Sequence, residues 1–346
     1  MRHEPSYDGL RAVAITGVLA IHIGLPIPGA GLGVEVFFVL SGYLITRLLL
    51  EEHGRTGRID LARFYYRRAL RLMPALLTMV GLVWLWGATH GRGRDTAFPA
   101  LMAVTYLMNF NRAFGWGPQD PFGHTWSLAM EEQFYILWPL LMLLTPPKRR
   151  AALLVGLIVL ICSWRGWLLL HGASVERVYN GLDTHAETLL IGCLVALCRP
   201  TVPARARLWL ERLVALPIIC LAVQVFLFRA GTPGGQGIGN IAVGIWAGWL
   251  IYALPGTTWP GRILSIPPAV FLGRISYSAY LWHYPLYLLN REFGIPHGRA
   301  AMPLLSIAVA ALSFYALERP ILRWRDRRRP VAPSPELARA GVTAAG

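Results

Sequence analysis

Residues able to carry a charge or move a proton stand inside or beside long apolar runs of this chain. Arg11 and His22 share the first run. Eleven residues at about 100° each return to within about 20° of one helix face, about 16 Å further along the axis. A fixed cation at a mouth and a titratable imidazole deeper on the same face can hold an anion and accept a proton. The spacing equally suits a snorkelling arginine and a histidine bonded to a backbone carbonyl, and both readings stay open. Arg63, Arg67, Arg68 and Arg71 alternate with Phe64, Tyr65 and Tyr66. Arg68 and Arg71 are i,i+3 and share a face, where paired guanidiniums suit phosphate oxygens or simply anchor a loop. His124 and Ser127 open another run that then carries Glu131 and Glu132. His124 and Glu131 are i,i+7 on one face, about 10 Å apart in depth. One of the two glutamates is expected to pair with a bundle arginine or histidine. His283 lies in a later run at a depth near His22, as a base or a structural donor, and Glu35 opens the second run.

Those side chains need elements to hold them, and the composition says which kind. The chain has 346 residues, 55% hydrophobic and 15% charged, against about 25% charge in a soluble domain. Mean hydropathy is +0.47. This excludes a disordered chain, a coiled coil and an ordinary cytosolic enzyme. Apolar runs of about 20 residues, enough to cross about 30 Å of hydrocarbon, indicate an all-α integral membrane protein. We expect a polytopic bundle of about ten transmembrane helices near 10–26, 33–51, 72–90, 125–145, 150–170, 184–199, 208–229, 236–254, 268–290 and 300–322. The stretch 97–113 is ambiguous. With the N-terminus inside and 97–113 not spanning, 23 basic residues fall on cytoplasmic segments and 8 on outer ones. Counting 97–113 as a span moves the basic turn 148–150 and the basic tail outside. Both termini are therefore expected in the cytoplasm, and 97–113 is expected to be a re-entrant or interfacial helix.

The transmembrane domain is expected over 1–325, followed by a basic, disordered cytoplasmic tail over 326–346. No cleavable signal is legible, so the first run reads as a permanent span. The net charge of +15 sits in loops rather than along a groove, which speaks against nucleic acid as a partner and for membrane lipids. Cys162, Cys193, Cys198 and Cys220 lack CxxC spacing and read as small hydrophobes. The histidines lie on different spans without ligand spacing, so no metal is expected.

Taken in order, five blocks resemble the acyltransferase-3 family of membrane O-acyltransferases. They are Tyr7-Asp8-Gly9-Leu10-Arg11-Ala12 through His22; Gly33-Val34-Glu35-Val36-Phe37-Phe38-Val39-Leu40-Ser41-Gly42-Tyr43-Leu44-Ile45; Arg67-Arg68-Ala69-Leu70-Arg71-Leu72-Met73-Pro74; Trp126-Ser127-Leu128-Ala129-Met130-Glu131-Glu132-Gln133-Phe134-Tyr135; and Ser276-Tyr277-Ser278-Ala279-Tyr280-Leu281-Trp282-His283. Glu35 stands where the family often has Asp. The resemblance implies a ten-span bundle in a bacterial inner (plasma) membrane that moves an acyl group, commonly acetyl, from cytoplasmic acetyl-CoA or another acyl-CoA. The acceptor is a hydroxyl of a polysaccharide, a lipid glycan or a macrolide-like glycoside, and no cofactor is bound permanently. The resemblance carries the essential pair onto Arg11 and His22 and the Arg-x-x-Arg motif onto Arg68 and Arg71. It stops without the C-terminal esterase-like domain of many relatives, so a stand-alone enzyme is expected.

On this reading CoA phosphates dock on Arg68, Arg71 and Arg67, with Arg11 just inside the mouth. His22 is the general base, and Glu131 orients His22 or an acceptor sugar or pairs with Arg11. His124, Ser127, Glu132, His283 and Glu35 bind substrate or support the site. Ser127, Tyr280 and His283 are candidate donors to the tetrahedral oxyanion. The competing class is a transporter or flippase-type binding protein for a glycan or lipid, without chemistry, since transporters also bury charges.

Overall fold

A computed structural model of the chain describes residues 3–327, apart from 26, 30, 228–231, 233, 256–257 and 296. The expected tail therefore lies, from residue 328 onward, outside the described residues. Among the described residues every regular element is helical.

The opening helix α1, Pro5–His22, starts on a proline whose fixed φ suits a first turn and carries Asp8 near its positive end. The next helix, α2, Leu32–Thr56, stops at Gly57 (φ 71°), whose N–H reaches the His53 carbonyl. The Asp60 carboxylate accepts from the Arg63 N–H at 2.9 Å and so caps α3, Leu61–Thr89. The arginine block 63–71 thus occupies the first turns of a long helix.

The ambiguous stretch becomes two short helices, α4, Gly93–Val104, and α5, Met108–Phe114, broken where Tyr106 takes φ 55°. Twelve residues reach about 18 Å, short of a bilayer core, so this segment does not span as one helix. Helix α6, Trp126–Leu144, follows a tight turn over Gly123–Thr125, and α7, Arg150–Leu170, runs back. Next come the short α8, Val175–Asn180, and α9, Leu182–His185, then α10, Glu187–Cys198. Helices α11, Ala204–Arg212, and α12, Ala215–Leu227, meet at 47°, and α13, Asn240–Ala253, follows. The short α14, Trp259–Leu264, precedes α15, Pro267–Arg274, and α16, Ser276–Phe293. The last pair, α17, Gly298–Ser313, and α18, Arg319–Arg327, forms one continuous rod through a wider turn at 314–318.

By length and composition four helices are able to cross a membrane: Leu32–Thr56, Leu61–Thr89, Pro147–Leu170 and Ala300–Arg325. The bent pair α11–α12 makes a fifth if it is one span. The other expected spans fall on helices that are shorter, interrupted or more polar. The expected span 268–290 is divided at Ile275 into α15 and α16, and 184–199 is a helix of twelve residues. For α1, α10 and α13 the physical reason is that most of their residues are buried among other helices, where protein partners replace the contact with lipid.

Helix α10 packs on α2 at the centre. A Cβ on Gly42 would sit 1.9 Å from the Leu189 carbonyl oxygen, and one on Gly192 would sit 2.0 Å from that of Val39. Reciprocal glycines let the two backbones touch, as small residues do between membrane helices. Above them Phe38, Met79, Met130, Trp138 and Leu189 form a core with at most 1% exposure. The Trp138 indole N–H donates to Thr46 Oγ1 at 2.8 Å. The four cysteines are free, and Cys193 is buried.

Candidate active site

Two cavities open at opposite ends of the bundle. Arg68–Leu72 on α3 line one and Leu82–Trp86 line the other, about 20 Å apart along the helix. The first, about 110 Å³, gathers Arg11, Ser41, Arg68, Arg71, Ser127, Glu131, Tyr135, Arg274 and Tyr280 from α1, α2, α3, α6, α15 and α16. Spacing in the sequence brought Arg11, Arg68 and Arg71 together only by analogy; the fold does so in space.

The four arginines of this pocket are not equivalent. Arg68 is committed: Nε lies 2.8 and 2.9 Å from the two Glu132 oxygens and Nη2 lies 2.5 Å from Oε1. Its guanidinium also rests 3.5 Å from the centroid of the Tyr135 ring. Glu132 is thus the glutamate that pairs, and it pairs with Arg68. Arg71 has no carboxylate within ion-pair distance among the described residues and opens into the pocket. Arg11 faces Asp8 only at 3.8 Å. Arg67 does not line the pocket. Glu131 accepts from the Ser41 hydroxyl at 3.0 Å, and neither His22 nor Arg11 is its hydrogen-bond partner. The i,i+7 alignment of His124 with Glu131 does not bring them together, because His124 lies in the turn before α6 and points into another layer.

That layer separates the two cavities. His22 and His283 stand edge to face with centroids 4.7 Å apart, and His283 and His124 likewise at 5.5 Å. Each imidazole ties one nitrogen to a backbone carbonyl. His22 Nδ1 reaches Val18 O at 2.9 Å, His283 Nδ1 reaches Tyr280 O at 2.6 Å, and His124 Nε2 reaches Leu281 O at 3.1 Å. A carbonyl only accepts, so those nitrogens carry the protons, and in the neutral rings the other nitrogen carries a lone pair. His283 Nε2 and His124 Nδ1 are buried with no hydrogen-bond partner among the described residues. The backbone bond and the base reading of His22 are therefore compatible: the bond fixes the tautomer and leaves Nε2 as acceptor.

Between the histidines and the arginine pocket stand Ser127 and Tyr280. Their hydroxyls are 2.6 Å apart, and the Tyr280 hydroxyl donates to the His124 carbonyl at 2.6 Å. With the Tyr280 proton spent there, Ser127 is the donor to Tyr280. Both sit on the pocket wall, whereas His22 does not.

At the far end a cavity of about 970 Å³ is lined by Trp86, Arg112, Asp120, Trp282, Tyr284 and Glu292 among others. The Tyr284 hydroxyl donates to Asp120 at 2.6 Å, and its ring lies 5.4 Å from His22 and 5.0 Å from His124. Tyr284 thus connects this cavity to the histidine layer.

Glu35 is not part of either cavity. It is 1% exposed, its carboxylate lies 2.9 Å from His185 Nε2, and it accepts from Thr188 at 3.1 Å. Beside it Arg165 pairs with Glu187, and Arg165 donates to Thr184 O at 3.0 Å. The α2–α10 crossing seals these groups between the helices, which gives Glu35, of the two roles expected for it, the geometry of a supporting residue. The sequence reading missed His185, Arg165 and Glu187. The signal was available: Arg165 interrupts an apolar run, and ionisable residues in such runs need partners. Asp120, Tyr284 and Asp8 were missed too, and no spacing rule would have found them. Among the described residues no group of three or more His, Cys, Asp or Glu is arranged to hold a metal ion.

Comparison with known proteins places this geometry. Residues 4–318 match a family described as an acyltransferase domain. The chain is 31% identical to a peptidoglycan O-acetyltransferase OatA of Listeria monocytogenes, covering 92% of this chain and 56% of that protein. It is 32% identical to a putative peptidoglycan O-acetyltransferase YrhL of Bacillus subtilis, over 92% and 55%. It is 33% identical to an O-acetyltransferase OatA of Staphylococcus aureus, over 92% and 57%. The chain thus spans little more than half the length of these curated relatives. No solved structure matches it.

Proposed function

The chain belongs to the acyltransferase family whose domain it matches over residues 4–318, and from that premise we propose that it moves an acetyl group from acyl-CoA to a carbohydrate hydroxyl. The names of its relatives support peptidoglycan as the acceptor class. The observation that carries the reading is the layered axis: arginine pocket, Ser127–Tyr280 wall, histidine layer, wide outer cavity.

In this proposal the bundle has ten spans in a bacterial inner membrane with both termini cytoplasmic, which puts the arginine pocket on the cytoplasmic side. The positive-inside distribution of basic residues supports it. Donor phosphates meet Arg71 and Arg11, while Arg68, held by Glu132, shapes the wall beside them. The thioester arm follows α1 for about 16 Å toward His22. The acceptor hydroxyl approaches from the outer cavity, whose volume suits a saccharide. His22 Nε2 takes the hydroxyl proton as the oxygen attacks the thioester carbon. The C–S bond then breaks, and the thiolate takes the proton from the imidazolium. Ser127 and Tyr280 stand nearest to stabilise the oxyanion, provided that the Tyr280 proton turns away from the His124 carbonyl.

The test uses purified protein in nanodiscs with acetyl-CoA and a peptidoglycan fragment, comparing wild type with His22→Ala. Binding of donor by both, with transfer only by wild type, supports the reading. Folded wild type that binds the glycan but never releases CoA would move the protein to the transporter or flippase class.

A further inference from the structure

Nothing in the proposed reaction uses Arg274, although it lines the arginine pocket. It ends α15, and α15 lies pressed against the start of α1. A Cβ on Gly273 would fall 1.8 Å from the Asp8 carbonyl oxygen, and one on Gly9 would fall 1.9 Å from that of Leu264 at the end of the preceding α14. Backbones in such contact fix where Arg274 stands relative to Asp8 and Arg11. The Asp8 side chain, 11% exposed, faces one imidazole and two guanidiniums: His3 Nε2 at 2.6 Å, Arg274 Nε at 3.7 Å and Arg11 Nη1 at 3.8 Å. The two arginine distances are too long for hydrogen bonds, so Asp8 is bonded to His3 and only faces the guanidiniums. Arg68, by contrast, has spent Nε and Nη2 on Glu132. The pocket therefore holds three guanidiniums with weak partners and one with a strong partner.

We infer that Arg274 is a phosphate ligand of the donor pocket, closing a clasp with Arg11 and Arg71, and that Asp8 is the internal anion that keeps the clasp poised. The inference rests on the acyl-CoA reading above. A phosphate ester brings more charge and more acceptor oxygens than one carboxylate, and the planar guanidinium fork matches two of those oxygens at once. Arg274 and Arg11 exchange long contacts to Asp8 for direct bonds to phosphate. Arg274 is 56% exposed on its side chain and so is able to turn inward. The shared chemistry is a phosphate monoester or diester, which an anionic lipid headgroup also carries.

The experiment titrates CoA into the full chain in zwitterionic nanodiscs, with inorganic pyrophosphate as competitor. Arg274→Ala is expected to weaken CoA binding by about tenfold or more, the scale of a lost charge-assisted bond. Arg274→Lys, which keeps the charge without the fork, is expected to fall between. CoA affinity of Arg274→Ala within about twofold of wild type overturns the inference. If Arg274→Ala does not yield folded protein, Arg274→Gln and Arg274→Lys are judged by the same criterion. The donor reading fails separately, in wild type: folded protein that binds neither CoA nor acetyl-CoA removes it. Repeating the titration with an anionic phospholipid separates the two phosphate sources. Lipid that abolishes CoA binding in wild type but not in Arg274→Ala assigns the clasp to a headgroup and overturns the nucleotide assignment.

Discussion

Removing both partners of the Arg68–Glu132 pair should destabilise the protein far less than the two single removals summed. The pair makes three close contacts, 2.5 to 2.9 Å, with side chains 19% and 18% exposed, and Tyr135 stacks under the guanidinium. Breaking a buried pair costs about 3–5 kcal/mol because a charge is left without a partner, whereas an exposed pair is worth at most about 1 kcal/mol. With roughly four fifths of each side chain covered, Arg68→Ala or Glu132→Ala should each cost about 2–4 kcal/mol. Glu132→Ala also strands a fourth guanidinium beside Arg11, Arg71 and Arg274. The double variant leaves no orphan charge, so the coupling should be about 2–3 kcal/mol. The assay is a denaturation titration of wild type, both single variants and the double variant in one detergent. Additivity within about 0.5 kcal/mol would refute the reasoning and return Arg68 to the phosphate-binding role that the sequence suggested.

Other outcomes follow from the same geometry. His22→Ala should lower acyl transfer by about 10²–10⁴-fold while donor binding persists, read by single-turnover transfer alongside a binding isotherm. Glu187→Ala should cost about 3–5 kcal/mol, because it leaves Arg165 charged at 1% exposure, and the loss should appear as reduced folded yield rather than altered turnover per folded molecule. Gly42→Val should block assembly of α2 on α10, since its Cβ would meet the Leu189 carbonyl at 1.9 Å; a monodisperse, thermally normal variant would contradict the close crossing. Tyr280→Phe removes the hydroxyl bonded to Ser127 and the His124 carbonyl, so stability should fall by about 1–3 kcal/mol and transfer should fall with it.

The class of this protein, all-helical with helices able to cross a membrane, was legible from apolar run length. A non-spanning helix at 97–113 was expected from short length and loop charge; the structure has two short helices there, each too short to span. The pairing of one adjacent glutamate with an arginine was also legible, though not which one. Helical periodicity put Arg11 and His22 on one face, and α1 keeps that face. Periodicity failed for His124 and Glu131 because it assumes one continuous α-helix, and His124 lies in the tighter turn at Gly123–Thr125 that leads into α6. The burial of Glu35 was not legible, because a residue at the start of an apolar run looks like a surface group until another helix covers it.

The sequence by itself determined which residues are costly to bury, and so which ones require partners, because that cost is a property of each side chain and its apolar neighbours. Only the tertiary structure decided the partners. Arg68 and Glu132 are 64 residues apart, Glu35 and His185 are 150 apart, and Asp8 and Arg274 are 266 apart. No local rule reaches across such distances: helix packing makes the pairs, at Asp8 and Arg274 through a glycine that lets two backbones touch, and that packing fixes which charges meet and which are left for a ligand.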